Sequence, residues 1–511
     1  MTSVRDVDSD FVALPLGALA DAALTAARAA GATHADLRVH RLRTQSLSLR
    51  DSAVQSSVDS TALGVAVRVV IDGTWGFASG AVPGVDEVIA ITHKAVLVAQ
   101  ALRDLNRERV VLASEPVYEN ATWVSDYEID PFDVATTDKV DLLADYSGRL
   151  LASDGVDHVS ASVLQVKEQT FYADLAGSRI TQQRVRLHPR VEAVTVDPST
   201  GNFDSMRTLA PPVARGWEYL TSAGTGVDGM WDWDDELARI PQWLAEKTKA
   251  PSVTAGATDL IIDPTNLWLT IHESIGHATE YDRAIGYEAA YAGTSFATPD
   301  QLGTLRYGGP IMHVTADRTE RHGLSSVGWD DDGVASQSWD LIDDGVLVGY
   351  QLDRVFAPRL GLARSNGCSY ADSAHHVPIQ RMANVSLQPD PVVDRTVDDM
   401  IADVEHGVYV VGDKSWSIDM QRYNFQFTAQ RFFRIENGEL AGQVRDMAYQ
   451  ATTTDFWGSM EAVGGPSTWR LGGAFNCGKA QPGQVAAVSH GCPAALFRSV
   501  NVLNTRAEAG Q

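Results

Sequence analysis

The 511-residue chain reads as an α+β protein, with an N-terminal half of mixed helix and sheet and a mostly antiparallel, β-rich C-terminal half that encloses one helix. Three observations predict this. Amphipathic Ala- and Leu-rich stretches alternate with period-two apolar runs through the first half. In the second half short strand-like runs are separated by turn sequences, Asp331-Asp332-Gly333, Asp343-Asp344-Gly345 and Asn437-Gly438. Between the halves a Trp- and Gly-rich stretch breaks both patterns.

Residues 14–30 are predicted as the first helix, ended by Gly31. Strands follow at 35–42, 46–49, 54–58 and 64–71, and Asp72-Gly73 turns the last of these into Thr74-Trp75-Gly76-Phe77. Helices at 85–105 and 137–152 precede strands running from 158 through 196. A region at 211–251 then carries Arg215-Gly-Trp-Glu-Tyr, a Gly224-Thr-Gly-Val-Asp segment and a helix at 234–249. The expected division is an α+β domain over 1–215, a Trp-rich linker and helix region over 216–255, and a β-rich domain over 256–511. That last segment opens with a strand at 258–263, after which Pro264 with Thr265 or Asn266 starts a helix. Strands are predicted at 310–316, 345–352, 385–388, 409–412, 424–435 and 442–447.

Composition narrows the function classes. Forty-one basic against 66 acidic residues give a formal charge of −25, a surface that repels nucleic acid and anionic membrane. The start, MTSVRDVDSDF, lacks the basic and then apolar pattern of a secretory signal, and no apolar run reaches the roughly 18–20 residues of a membrane span. Three cysteines, Cys368, Cys477 and Cys492, are too few for a disulfide framework. The expectation is a cytoplasmic protein with no nucleic-acid or membrane partner.

Chemistry concentrates in Thr270-Ile-His272-Glu273-Ser-Ile-Gly276-His277-Ala-Thr-Glu280-Tyr-Asp282. Neutral imidazole is the commonest protein ligand for zinc, and a carboxylate beside a ligand histidine can take a proton from water activated by the ion. The familiar spacing H-E-x-x-H keeps both histidines on one helical face. Here the spacing is H-E-x-x-x-H, and five steps at roughly 100° leave the rings about 140° apart on a regular helix. Two distortions repair this: a π-type turn, or a helix that ends near Gly276 so that His277 enters from irregular backbone. An open zinc site needs a third protein ligand, for which the other histidines, carboxylates and cysteines are candidates. Cys477 lies in a glycine-flanked loop beside Lys479, a setting that favours thiolate.

His272-Glu273-x-x-x-His277 together with Cys477-Gly478-Lys479 resembles the TldD subunit of the TldD/PmbA family of zinc peptidases. Gly64-Val-Ala-Val-Arg-Val with Asp72-Gly-Thr-Trp-Gly-Phe-Ala is similar to the family's glycine-rich hairpin. Asp331-Asp-Gly, Asp344-Gly-Val and Arg381-Met-Ala-Asn384 fall in the family's order, so the likeness spans essentially the whole chain. The resemblance implies one Zn2+ per active subunit, held by His272, His277 and Cys477. It implies Glu273 as general base and later as acid to the leaving amine, with Glu280, Asp282 and Lys479 as supporting groups behind the ligands. His490-Gly-Cys492-Pro493 offers alternative soft ligands; Cys477 is preferred for its Gly-Lys context, with Cys492 and Cys368 as buried spectators. The pair His375-His376 is read as a solvated loop. Implied substrates are flexible or unfolded peptides, in leader-peptide trimming or peptide degradation, held in extended form as an added strand. Implied partners are a PmbA/TldE-like paralogue in a heterodimer or a second copy in a homodimer. Rival readings are a non-catalytic scaffold or modulator subunit and a zinc hydrolase of small molecules.

Overall fold

A computed structural model describes residues 5–81, 84–197, 203–221, 229–481, 483–508 and 510. Residues 1–4 and the 224–228 part of the Gly-rich segment lie outside them.

The N-terminal strands are β1 (His34–Arg50), β2 (Ala53–Ile71), β3 (Thr74–Ala81), β4 (Ala121–Val124), β5 (His158–Asp174), β6 (Arg179–Val196) and β7 (Phe203–Arg207). They form one sheet in the order β3-β2-β1-β5-β6-β4, with β7 beside β6. The four short strands expected over 35–71 are two long ones, paired from His34↔Val70 to Arg50↔Ala53 with one bulge. Asp51 and Ser52, at φ 51° and 64°, make the two-residue turn between them. Polar residues that looked like breaks instead pair across the ladder, as Arg43 does with Asp59 at 2.8 Å.

Alternation divides this sheet into two faces. Ala35, Leu37 and Val39 of β1 pack with helices Leu16–Ala29 and Val85–Leu102. Leu47 and Leu49, on the same face, pack with helices Thr136–Leu151 and Trp233–Lys249. The opposite face is polar yet buried, and it meets the C-terminal half. There Arg38 pairs with Asp331, and Arg68 lies 2.9 Å from Asp36 and 2.8 Å from Asp332. The Asp331-Asp332-Gly333 turn is thus an ion-pair anchor between the halves.

The C-terminal strands are β8 (Gly256–Ile262), β9 (Val314–Asp317), β10 (Ser338–Asp343), β11 (Val346–Leu347), β12 (Ser369–Tyr370), β13 (Ile379–Gln380) and β14 (Asn384–Leu387). They continue as β15 (His406–Ile418), β16 (Asn424–Glu436), β17 (Glu439–Val444), β18 (Met447–Thr452), β19 (Met460–Val463), β20 (Arg470–Lys479), β21 (Gln484–Cys492) and β22 (Ala495–Asn504). One sheet runs β15-β8-β22-β18-β16-β17, and because β15 also pairs with β16, five of these strands close into a ring. β11, β10, β9 and β14 make a second sheet, and β20 with β21 a separate hairpin. The strand expected at 345–352 is only Val346–Leu347, because the chain leaves the sheet so that Gln351 N can donate to Thr279 O at 2.9 Å. From β8, the Asp263 side chain accepts from Thr265 N at 2.9 Å and Pro264 occupies the first turn, starting helix Pro264–Ile271.

Candidate metal centre

Helix Pro264–Ile271 widens into one π turn over His272–Gly276, and His277 N donates to His272 O at 3.0 Å, closing a five-residue step. The wider winding returns residues five apart to one side, so both imidazoles reach the same space. Side chains satisfy the carbonyls around this turn: Tyr307 OH donates to Ser274 O, Gln351 Nε2 to Gly276 O at 2.7 Å, and Thr279 Oγ1 to Ile275 O at 2.9 Å. A Cβ at Gly276 would lie 2.6 Å from Met382 Sδ, so a larger residue there would have to displace the end of that methionine.

Strand β20 brings Cys477 to the histidines across 200 residues of sequence, with Sγ 3.6 Å from His277 Nε2. One donor atom from each of His272, His277 and Cys477 lies within 4.8 Å of the others, and all three residues are buried. Two ligands on a tetrahedral zinc, at roughly 2.05 Å for nitrogen and 2.3 Å for sulfur, stand about 3.6 Å apart, the separation of the Cys477–His277 pair. Two neutral imidazoles and a thiolate are also the donor chemistry zinc takes.

Hydrogen bonds fix the tautomer of both imidazoles. His490 donates from Nδ1 to Val385 O at 2.8 Å, leaving its Nε2 as acceptor for His272 Nδ1–H at 2.7 Å. His277 Nδ1–H donates to Glu280 Oε2 at 2.8 Å. Both Nε2 lone pairs are therefore left for the shared space. Burial holds the two imidazoles below the usual histidine range. Burial alone would raise the Cys477 thiol, but His277 and Arg381 outweigh it and the thiol titrates below its ordinary range.

Behind His277 the carboxylates form a buried network. Glu280 Oε2 also accepts from Arg283 Nε at 3.1 Å, and Glu280 Oε1 lies 3.0 Å from Lys479 Nζ. Lys479 Nζ also meets Asp282 Oδ1 and the carbonyl and side-chain oxygens of Gln380, each at 2.8 Å. Against the cost of burial, Lys479 holds Glu280 well below the carboxylate range, whereas burial and Glu280 push Asp282 up. Lys479 therefore serves the acids, not the thiol: two residues from Cys477 on the strand, its side chain shares a face with Cys477 but its Nζ meets Glu280 and Asp282. Solvated helix-end carboxylates would not be 1% and 5% exposed, as Glu280 and Asp282 are.

Glu273 is 5% exposed, and its Oε2 lies 2.9 Å from Arg422 Nη1. These two residues, both histidines and Cys477 line one open cleft of about 560 Å3. Residues 471–478 of β20 line it continuously, and His188, Arg190 and Arg207 of the N-terminal sheet form part of the facing wall. Among the described residues, β20 is hydrogen-bonded to a strand on one side only.

The remaining singled-out residues separate cleanly. Cys492 is buried with Sγ 3.7 Å from Pro264 O, and burial raises the thiols of both Cys492 and Cys368, the latter to about 12. His375 and His376 occupy a loop, with His376 Nδ1 2.6 Å from Asp372. Sequence reasoning weighed His490 only as a ligand, and missed Arg422 and Arg283. Arg283 directly follows Asp282 and had a local signal. Arg422, 149 residues from Glu273, had none.

Residues 255–504 match the profile of the PmbA/TldA metallopeptidase C-terminal domain, and residues 35–96 that of PmbA/TldA metallopeptidase domain 1. A metalloprotease of Methanothermobacter thermautotrophicus is 28% identical over 475 residues, covering 92% of this chain and 96% of the relative. A zinc metalloprotease TldD homolog of Saccharolobus solfataricus is 24% identical over 286 residues, covering 56% of this chain and 60% of its own. Among solved structures, TldE from Thermococcus kodakarensis superimposes with a TM-score of 0.68 at 16% identity, over 94% of this chain and 98% of that one. That likeness speaks to fold alone. With both domain profiles matched in order and full-length relatives named for the activity, the chain belongs to the PmbA/TldD family of metallopeptidases.

Proposed function

We propose that the chain is the catalytic, TldD-type subunit, a peptidase that holds one Zn2+ on His272, His277 and Cys477 and hydrolyses flexible or unfolded peptides. The observation that carries this reading is the convergence of three donor atoms within 4.8 Å, with both imidazoles tautomerically fixed, beside a buried carboxylate in an open cleft. A scaffold or modulator subunit would have no use for that set. When bound, zinc would acidify water and polarise a carbonyl.

The chain's own residues do the rest. Glu273 takes the proton of the attacking water and later delivers it to the departing amine. Arg422 holds one oxygen of that carboxylate, and among the described residues the other, Oε1, has no hydrogen-bond partner to turn it from the cleft. The free edge of β20 supports the extended-peptide substrate: main-chain hydrogen bonds hold any unstructured segment without reading its side chains. The partner is a TldE-like paralogue or a second copy, and the charge of −25 argues against nucleic acid. No described helix is long and apolar enough to cross a membrane.

Elemental analysis after metal-replete expression is expected to find about one zinc per chain. Glu273→Gln is expected to keep that zinc and lose peptide cleavage. Absence of zinc, or full cleavage by the variant, overturns the reading.

A further inference from the structure

Arg422 stands in a turn built to hold it in place. It lies between β15 and β16 at φ 63°, left-handed backbone that a non-glycine residue adopts only when its surroundings impose it. They do so here. The Asp419 side chain accepts from Gln421 N, Tyr423 N and Asn424 N at 3.0, 2.8 and 3.0 Å, and Thr453 Oγ1 donates to Arg422 O at 2.8 Å. Met420 O and Gln421 O accept from Thr294 N and Phe296 N at 2.7 and 2.9 Å, clamping the turn to the segment that follows the metal helix. The result places a side chain that is 13% exposed in the cleft wall, with Nη1 on Glu273 Oε2, Nη2 3.2 Å from Ala292 O and, among the described residues, no partner for the buried Nε.

Charge bookkeeping through hydrolysis gives this cation a second task. As water adds to the scissile carbonyl, an O–C bond forms, the carbonyl π pair moves onto the substrate oxygen, and the water proton goes to Glu273 Oε1. The negative charge that Arg422 neutralised has then left Glu273 and sits on the substrate oxygen. When the C–N bond breaks, the amine nitrogen takes the proton back from Glu273, the oxygen pair re-forms the carbonyl, and the charge returns. A cation held beside both stations neutralises whichever carries the charge, with only a local exchange of hydrogen-bond partner.

We propose that Arg422 is a catalytic residue that binds the oxyanion of the tetrahedral intermediate, exchanging its contact with Glu273 for one with the substrate oxygen. This rests on the peptidase reading above and extends it to a residue no sequence motif marks. The strained turn keeps the guanidinium in place as the charge moves, and Nη1, which meets Glu273 Oε2 in the cleft wall, is the donor that turns to the substrate oxygen.

The test uses the full chain loaded with zinc, an internally quenched unstructured peptide as substrate, a phosphinic pseudopeptide of the same sequence as transition-state mimic, and the cleaved product as ground-state ligand. Arg422→Met is expected to keep its zinc, change KM less than about threefold and lower kcat by roughly 10²–10³. Arg422→Lys should fall between, and guanidinium ion should partly restore Arg422→Ala. Across these variants the logarithm of phosphinate Ki should follow log(KM/kcat) with a slope near one, while product affinity stays flat. If phosphinate and product affinities weaken together, or kcat holds within threefold, the assignment is overturned. If Arg422→Met does not fold, the lysine variant and guanidinium rescue decide by the same criteria. Failure of the underlying reading is distinguishable, because it appears in the wild type as missing zinc or in Glu273→Gln as retained cleavage.

Discussion

His490 donates through one ring nitrogen to Val385 O and accepts through the other from His272, so its neutral form determines which nitrogen of His272 stays free. Such indirect contacts typically contribute 10–100-fold to metal affinity. His490→Leu is accordingly expected to weaken zinc binding by about that factor, measured by competition with a chelating dye, while the chain stays folded. Cys492→Ala, two residues along the same strand, should leave the affinity unchanged because its thiol points to Pro264 O. The two results together discriminate Cys477 from the alternative soft ligand that the His490-Gly-Cys492 sequence offers. From sequence alone His490 and Cys492 look equivalent. Two residues apart on β21 they share a face, and only the packing of the metal helix against that face sets His490 on the imidazole of His272 and Cys492 on the carbonyl of Pro264, one helical segment earlier.

At the scale of elements, the centre depends on how closely β20 approaches the metal helix. Gly472 makes that approach possible: a Cβ there would lie 2.2 Å from Cγ of Trp268, whose ring stacks on His490 with centroids 6.3 Å apart. Gly472→Ala is expected to cost about 1–3 kcal/mol in denaturant unfolding and to lower zinc affinity as well, since the strand that carries Cys477 must move off the helix that carries His272. Stability lost with affinity intact would mean that the two elements do not share this dependence. The π turn itself was legible. The spacing H-E-x-x-x-H admits a shared ligand space only through a distortion, and of the two available the wider winding occurs because Gln351, Thr279 and Tyr307 satisfy its carbonyls. The long β1–β2 hairpin was less legible, because Arg43 and Asp59 read as turn residues until cross-strand pairing neutralises them.

For the molecule as a whole, the cleft has walls from both halves, so the seam between them matters to activity. Arg68 is 5% exposed and sits between Asp36 of its own sheet and Asp332 of the other half. Removing the cation from such a buried cluster leaves carboxylates uncompensated. Arg68→Met is expected to destabilise the chain by about 3–5 kcal/mol, read from the denaturant midpoint, and to reduce peptide cleavage with zinc content retained. Unchanged cleavage by the folded variant would show that the seam does not shape the cleft. The sequence by itself determined the α+β class, the hairpin turns, the histidine pair and, through family resemblance, Cys477, because periodicity, turn chemistry and ligand spacing are local properties of a chain. Only the tertiary structure decided that Lys479 serves Glu280 and Asp282, that His490 orients His272, and that Arg422 reaches Glu273. These contacts join residues 149 to 218 positions apart. No short-range pattern encodes them, since their geometry exists only once the strands and the metal helix have packed together.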